Sequence, residues 1–262
     1  TVWRWALSGA ALVAAAGLLF IPRWDQGIMS SGPAIYAQKY LQEWEQGADE
    51  PLRRSDVVFY RDGPSATVTV SKIGDHLSLR VNGKVDASTG RDVATQVLLG
   101  QLGLLIHPDP RAVLVIGLGS GMTAAAAAMH AVDRVDVVEI EPGVVEANRF
   151  FVHANSDVLK NPKVRMVIAD ARNFLLTTAE RYDVIISEPS NPWISGVATL
   201  FTREFFELAR LRLRPGGLMV QWVHSYSLLP EDLRMIVRTF RTAFPATSIW
   251  QPGGGDFLLV GR

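Results

Sequence analysis

The chain has 262 residues, room for one large α/β domain or two small ones, and 26 Lys plus Arg balance 26 Asp plus Glu to give no formal net charge. That balance, with no basic tract of five or more residues, argues against a nucleic-acid partner. Cysteine is missing, which removes disulfides, thiolate metal sites and cysteine nucleophiles, and the five histidines show neither HxH nor HxxxH spacing, so no metal site is expected.

Residues 6–21, ALSGAALVAAAGLLFI, carry no charge. Arg4 and Arg23 bracket them, and Trp3, Trp5 and Trp24 sit at the two edges. A bilayer-spanning helix needs about 20 apolar residues and favours aromatic edges. Residues 1–24 are therefore expected to form a transmembrane helix; a signal segment and a buried helix are the alternatives. The start at Thr1 rather than Met favours the last span of a longer membrane protein. Residues 25–54 read as a connector, turn-rich in DQGIMSSGP and with a short helix in AIYAQKYLQEWEQ. Residues 55–89 read as a small antiparallel β subdomain. Strand-like runs VVFY, ATVTVSK and HLSLRV are broken at Asp62-Gly63-Pro64, Gly74-Asp75 and Asn82-Gly83, and Asn-Gly between such runs favours a two-residue hairpin.

Residues 90–106 have helical spacing of apolar positions. From Ala112 the pattern alternates. The strands are AVLVIG, RVDVVEI, VRMVIAD, YDVIISE and GLMVQWV, with helices near 121–130, 142–153, 171–179, 202–213 and 230–243. Continuous apolar strands alternating with helices imply a parallel sheet covered on both faces. The end, SIWQPGGGDFLLVGR, adds two strands around a glycine turn. Residues 90–262 are thus read as a Rossmann-like domain.

The candidate site lies at the strand ends. Gly117, Gly119 and Gly121 form a GxGxG loop between a strand and a helix; Met122 stands where the dinucleotide fingerprint has its third glycine. Glu139 ends the next strand, about 20 residues on, a place suited to a carboxylate that accepts both ribose hydroxyls. The geometry fits a ribose, and the missing glycine argues against a pyrophosphate. Asp170 and Glu188 end two further strands, and an acid in such a place is also a common helix N-cap. Ribose on Glu139, an adenine amino group on Asp170 and a tail passing the glycines describe an S-adenosyl ligand, whose cationic sulfonium suits carboxylates and needs no metal. Glu188 is placed to take a proton from an amine. Pro189, Pro192 and Trp193 stiffen its loop, with Gly196 as a hinge. His224 and Tyr226 lie past the strand GLMVQWV on the same rim.

With these motifs in this order, the chain resembles the spermidine synthases, or polyamine aminopropyltransferases, from about Phe59 to Arg262. The resemblance rests on LRVNGKVDAST, Gln96, VLVIGLGSG, VVEIE, IADARNF and YDVIISEPSNP. The N-terminal apolar span plus EPSNPW is similar to the membrane-fused spermidine synthase-like branch. The resemblance implies a Rossmann-like class I S-adenosylmethionine-dependent transferase sheet preceded by a small β subdomain. It implies decarboxylated S-adenosylmethionine as donor, with S-adenosylmethionine itself as the other candidate, a small amine as acceptor, a homodimer, and a position on the cytoplasmic side of the inner membrane. By position it makes Gln96, Gly117, Gly119, Ser120, Gly121, Glu139, Asp170 and Ala171 donor-binding residues, Glu188 catalytic, and Asn191, Trp193 and Tyr226 acceptor-binding. The chain departs from the family in several places. Ser120 and Asn191 stand where the family has aspartates, Glu188 where it has the catalytic aspartate, and Thr95 where it has a tyrosine. Ser120 and Asn191 remove two negative charges from the implied pocket; Asp86 and Asp92, at the hairpin-to-helix junction, are candidates to replace them. A class I methyltransferase and a non-catalytic S-adenosyl-binding domain are the competing readings.

Overall fold

A computed structural model describes residues 2–18, 24–47, 52 and 55–262. Helix α1 (Val2–Leu18) exposes Trp3, Trp5, Leu7, Leu12 and Val13. It has 17 residues, and among the described residues no helix is long and apolar enough to cross a membrane. Residues 19–23, over which the expected span continues, lie outside the described residues.

The connector is partly helical. Asp25 caps α2 (Gln26–Met29), and α3 (Pro33–Glu45) opens on a proline, where the missing N–H would have no helical partner anyway. This piece leans on the small sheet: Val85 N–H donates to the Tyr36 hydroxyl at 3.1 Å, and Arg80 donates to the Ser30 carbonyl at 3.1 Å.

Strands β1 (Asp56–Asp62), β2 (Thr67–Ile73), β3 (His76–Val81) and β4 (Lys84–Ser88) pair antiparallel in chain order. At the β3–β4 turn Asn82 and Gly83 have φ of 50° and 81°, the left-handed pair a two-residue hairpin requires. Val68, Val70, Leu79 and Ala87 of this sheet are buried in the same apolar cluster as Val115, Leu118 and Ala124. The small sheet therefore gains its apolar burial by covering the larger unit.

The larger unit begins with α4 (Val93–Ile106) and β5 (Ala112–Ile116), followed by α5 (Met122–Ala128), β6 (Arg134–Glu139) and α6 (Pro142–Ala147). Next come α7 (Val152–Asn155), β7 (Val164–Ile168), α8 (Ala171–Thr177) and β8 (Tyr182–Ser187). It ends with α9 (Arg203–Arg212), β9 (Leu213–His224), α10 (Pro230–Ala243), β10 (Thr247–Gly253) and β11 (Asp256–Gly261). The seven strands run β10-β11-β9-β8-β5-β6-β7, parallel from β9 to β7 and antiparallel at the β10–β11 edge. Every residue of β5 and β8 is buried, because an apolar cluster covers each face of the sheet. That two-sided burial is why these strands read as unbroken apolar runs. From β5 the chain winds one way to β6 and β7; β8 and β9 lie on the other side. Ligands of open parallel sheets sit at such a reversal, beyond the carboxyl ends of the strands.

Two elements differ from the sequence reading. The helix expected over 142–153 is three short pieces, α6, a 3-10 turn (Asn148–Phe150) and α7. The breaks turn Asn148 and Asn155 inward, where they bond the glycine loop. Strand β9 starts at Leu213, four residues earlier than GLMVQWV, because Leu213 pairs with Tyr182 across an irregular register.

One carboxylate fastens the small sheet to the large unit. Glu141, 2 % exposed at the N-cap of α6, accepts N–H bonds from Gly143 (2.8 Å), Ser65 (2.9 Å) and Ala66 (3.1 Å). A Cβ on Gly63 would stand 2.0 Å from Glu141 Oε1, so any larger residue there would displace the carboxylate from these bonds. Glu141→Ala leaves three N–H donors without their acceptor and should lower stability by about 3 kcal/mol in equilibrium urea unfolding. An effect within error of wild type would refute this role.

Candidate active site

The crevice is built first from backbone. Gly117, Gly119 and Gly121 all have positive φ, at 92°, 52° and 83°. Glycine adopts that conformation without the penalty a Cβ brings. At Gly117 there is a second reason: a Cβ would come 2.6 Å from the Glu188 carbonyl oxygen, so the loop and the end of β8 touch main chain to main chain. Behind the loop, Asn148 Nδ2 donates to the Gly119 carbonyl (3.3 Å) and Asn155 Nδ2 to the Ser120 carbonyl (2.7 Å). Both asparagines are buried, and the sequence reading missed them. Only their spacing of seven, two helical turns, was visible in one dimension.

Glu139 ends β6 and is buried. Its two carboxylate oxygens accept N–H bonds from Leu118 (3.0 Å) and Glu141 (2.9 Å), tying the glycine loop to the tip of the neighbouring strand. Burial holds its carboxyl above the ordinary carboxylate range, and the backbone donors pull the other way. Each oxygen keeps a lone pair for a further donor such as a sugar hydroxyl. Asp170 is half-buried at the start of α8, where it caps the helix by accepting from Asn173 N–H at 2.7 Å, with Ala171 buried beside it. Glu139, Asp170 and the glycines thus line neighbouring strand tips of one rim.

Gln96, buried on α4, joins the two halves of the site. Its Oε1 accepts from the Ser120 hydroxyl at 2.5 Å, and its Nε2 donates to the Ser88 carbonyl (3.1 Å) and to Asp92 (3.0 Å). Ser120 is fully buried, and its hydroxyl is spent on Gln96.

Glu188 is half-buried at the end of β8 and accepts a 2.6 Å bond from the Thr123 hydroxyl. Its carboxyl is pushed up to about 8, chiefly by burial, with Asp92, Asp256 and Asp86 adding repulsion and Thr123 opposing. All three neighbouring acids are themselves held largely by neutral donors. Asp92 accepts from Ser88 N–H (2.7 Å) and the Ser88 hydroxyl, Asp256 from the Thr95 hydroxyl (2.8 Å), and Asp86 from the Ser190 hydroxyl (2.7 Å). Lys84 bonds Asp86 at 2.6 Å. The charges that Ser120 and Asn191 do not supply thus come from the small sheet, from α4 and from the start of β11. The sequence reading weighed Asp86 and Asp92 for this place but did not find Asp256 or Thr123, which lie 161 and 65 residues from the partners they bond.

Asn191 and His224 are fully buried and bonded, Nδ2 to Nε2. His224 Nδ1 faces the Tyr226 carbonyl at 2.7 Å, so Nδ1 carries the proton and Nε2 accepts from the amide. Burial pushes the imidazole down to about 4, so it is neutral at pH 7. Tyr226 stacks on His224 with ring centroids 4.2 Å apart, and burial pushes its phenol up to about 12. Trp193, on the 189–196 loop, is 41 % exposed and makes no hydrogen bond to this cluster among the described residues. Among the described residues no cluster of three or more His, Asp or Glu side chains is disposed to hold a metal.

The backbone contact at Gly117 is directly testable. Gly117→Ala adds both a strained φ and the 2.6 Å clash, and should cost about 3 kcal/mol or more; Gly119→Ala, with its Cβ 3.5 Å from Ala87, should cost about 1 kcal/mol. Thermal melts of the two variants check the ordering.

Comparison with known proteins agrees with this architecture. The spermine/spermidine synthase domain matches residues 93–251. A spermidine synthase from Dictyostelium discoideum is 33% identical over 188 residues, covering 70% of this chain and 66% of that protein. A polyamine aminopropyltransferase from Thermococcus kodakarensis is 34% identical over 148 residues, covering 54% and 51%. The chain therefore spans between half and two thirds of the length of these two relatives. The fold is similar to that of a spermidine synthase crystallised with the transition-state analogue AdoDATO (TM-score 0.71, 20% identity, covering 78% of this chain and 72% of that one). It is also similar to the spermidine synthase of Thermotoga maritima (TM-score 0.69, 21% identity, covering 78% and 71%). The chain belongs to the spermine/spermidine synthase domain family.

Proposed function

We propose that this chain is an aminopropyltransferase that moves the aminopropyl group of decarboxylated S-adenosylmethionine to a small amine. The observation that carries the reading is Glu188, a half-buried carboxyl pushed up to about 8, set against the glycine loop and surrounded by three further acids. The glycine loop with Glu139 and Asp170 forms the adenosine half of the site. The acids around Glu188 form a half that suits a cation. A general base works best when its pKa lies near the working pH, and burial has moved Glu188 there.

In this mechanism the acceptor arrives protonated and Glu188 takes the proton, directly or through water. The freed nitrogen lone pair attacks the aminopropyl carbon attached to sulfur. The C–N bond forms as the C–S bond breaks, the sulfonium becomes the neutral thioether of methylthioadenosine, and the product leaves as a protonated secondary amine. Thr123 orients the Glu188 carboxylate. Gln96 couples the glycine loop to Asp92, so the donor and acceptor halves share one hydrogen-bonded wall.

The test is release of methylthioadenosine from purified protein given decarboxylated S-adenosylmethionine and an amine. Methyl transfer from S-adenosylmethionine in its place would favour the methyltransferase reading, and binding without turnover the non-catalytic one. If Glu188 is the base, kcat/KM rises with pH and levels off above about 8, and Glu188→Gln removes the rise and lowers the rate about 100-fold or more. The same group bears on stability. A carboxyl whose folded pKa lies above its unfolded value binds more protons when folded, so stability falls as pH climbs from the ordinary carboxylate value towards 8. Melting temperature should drop across that window in wild type and drop less in Glu188→Gln.

We further propose that α1 is part of a membrane anchor, with the catalytic domain on the cytoplasmic side of the inner membrane, where its donor is made. Support comes from the exposed Trp3, Trp5, Leu7, Leu12 and Val13 of α1, and from the uncharged run that continues to Ile21. Protein carrying residues 1–24 should float with liposomes, and protein starting at residue 25 should not; equal flotation would refute the anchor.

A further inference from the structure

Helix α10 is sorted by face. Ile236, Phe240 and Ala243 turn into the core, while Arg234, Arg238 and Arg241, spaced four and three residues apart, form one stripe exposed to solvent. Among the described residues none of these three arginines has an ion-pair or hydrogen-bond partner. The acids of the helix, Glu231 and Asp232, lie in its first turn, where the helix dipole favours them, and form no ion pair with the stripe. In a chain with no formal net charge, the stripe concentrates positive charge that the protein itself leaves unanswered.

A second observation lies beside the stripe. Helix α10 packs on β11, where Leu259 is buried. The Cα of Leu259 pairs with that of Ile249 on the edge strand β10, so the two side chains share a face of the sheet, yet Ile249 is left 53 % exposed. Between the helix and the edge strand runs an open groove of about 390 Å³, floored by Leu233, Val237, Ile249 and Phe257 and flanked by Arg234 and Arg238. Its volume lies within the ordinary range of small-ligand sites. An apolar groove beside uncompensated arginines fits a molecule that is apolar along its length and anionic at its head. Guanidinium groups hold phosphate oxygens with paired N–H donors, and a hydrocarbon chain gains with each methylene that it buries.

We propose that α10 docks on the surface of a bilayer containing anionic phospholipid, with lipid phosphates on Arg234 and Arg238 and an acyl chain in the groove beside them. Neither arginine takes part in the transfer chemistry, so the docking stands or falls apart from it. It is also distinct from anchoring by α1, which is apolar in origin and requires no anionic lipid.

The chain has no cysteine, so Met235→Cys, at a position 59 % exposed beside Arg234, carries a single environment-sensitive fluorophore. The labelled whole chain is titrated with vesicles of phosphatidylcholine alone, with vesicles of equimolar phosphatidylcholine and phosphatidylglycerol, and with inorganic phosphate. The label reports from α10, so insertion of α1 does not by itself move it. The mixed vesicles should shift its emission to the blue, and the other two additions should not. Adding Arg234→Gln and Arg238→Gln together should weaken the apparent affinity for the mixed vesicles about thirtyfold, while Arg234→Lys with Arg238→Lys keeps most of it. Thermal melts check that the variants fold. An equal shift with phosphatidylcholine alone or with inorganic phosphate overturns the proposal, as does a shift that survives loss of both arginines, or no shift at all. A shift that follows protein concentration without lipid marks self-association through this face and overturns it too.

Discussion

The site is organised by an electrostatic constraint: four carboxylates, Glu188, Asp86, Asp92 and Asp256, stand near one another, and Lys84, a cation beside them, is bonded to Asp86. Like charges in a half-buried pocket repel, and the cheapest structural remedy would be cations of the protein's own. The chain instead uses hydroxyls, Thr123 on Glu188, Thr95 on Asp256, Ser88 on Asp92 and Ser190 on Asp86. A hydroxyl fixes a carboxylate in place but leaves its charge to be met by something else. The surplus of negative charge is therefore a standing preference for a cationic visitor, and it adds to the burial that chiefly raises the pKa of Glu188.

That surplus has to be carried by a rigid frame, and the frame is main chain. Positive φ at three glycines lets the loop after β5 fold tightly enough to touch the end of β8. Glu139 then ties the loop to the tip of β6, and Asn148 and Asn155 brace it from behind. Gln96 carries the connection to α4 and so to Asp92 and Ser88. One hydrogen-bonded wall thus runs from the glycine loop to the charged half. The small sheet is part of the same construction. Its apolar residues cover the larger core, Glu141 bolts its first turn to α6, and the reward for that placement is Asp86 at the pocket edge.

His224 and Asn191 show the opposite electrostatic strategy within the same pocket. Both are buried and neutral, and the imidazole is kept neutral by desolvation. With Tyr226 stacked on the ring, they form an uncharged cluster at the end of β9, beside Asp256.

The sequence by itself determined the periodic and local features. Unbroken apolar runs at regular spacing gave the parallel sheet, because strands buried on both faces must be apolar throughout. The GxGxG turn and the acids at the strand ends were legible because a loop that follows a strand and opens a helix has few other uses for three closely spaced glycines. What only the tertiary structure decided was every feature made by residues distant in the chain. Thr95 meets Asp256 across 161 positions and Thr123 meets Glu188 across 65, and no periodicity marks either pair. The source of the pocket's charge was likewise hidden. Removal of acids at positions 120 and 191 was visible in the sequence, but their replacement comes from a sheet, a helix and a terminal hairpin that converge only after folding. Charge in a pocket is a sum over space, and sequence order does not preserve it.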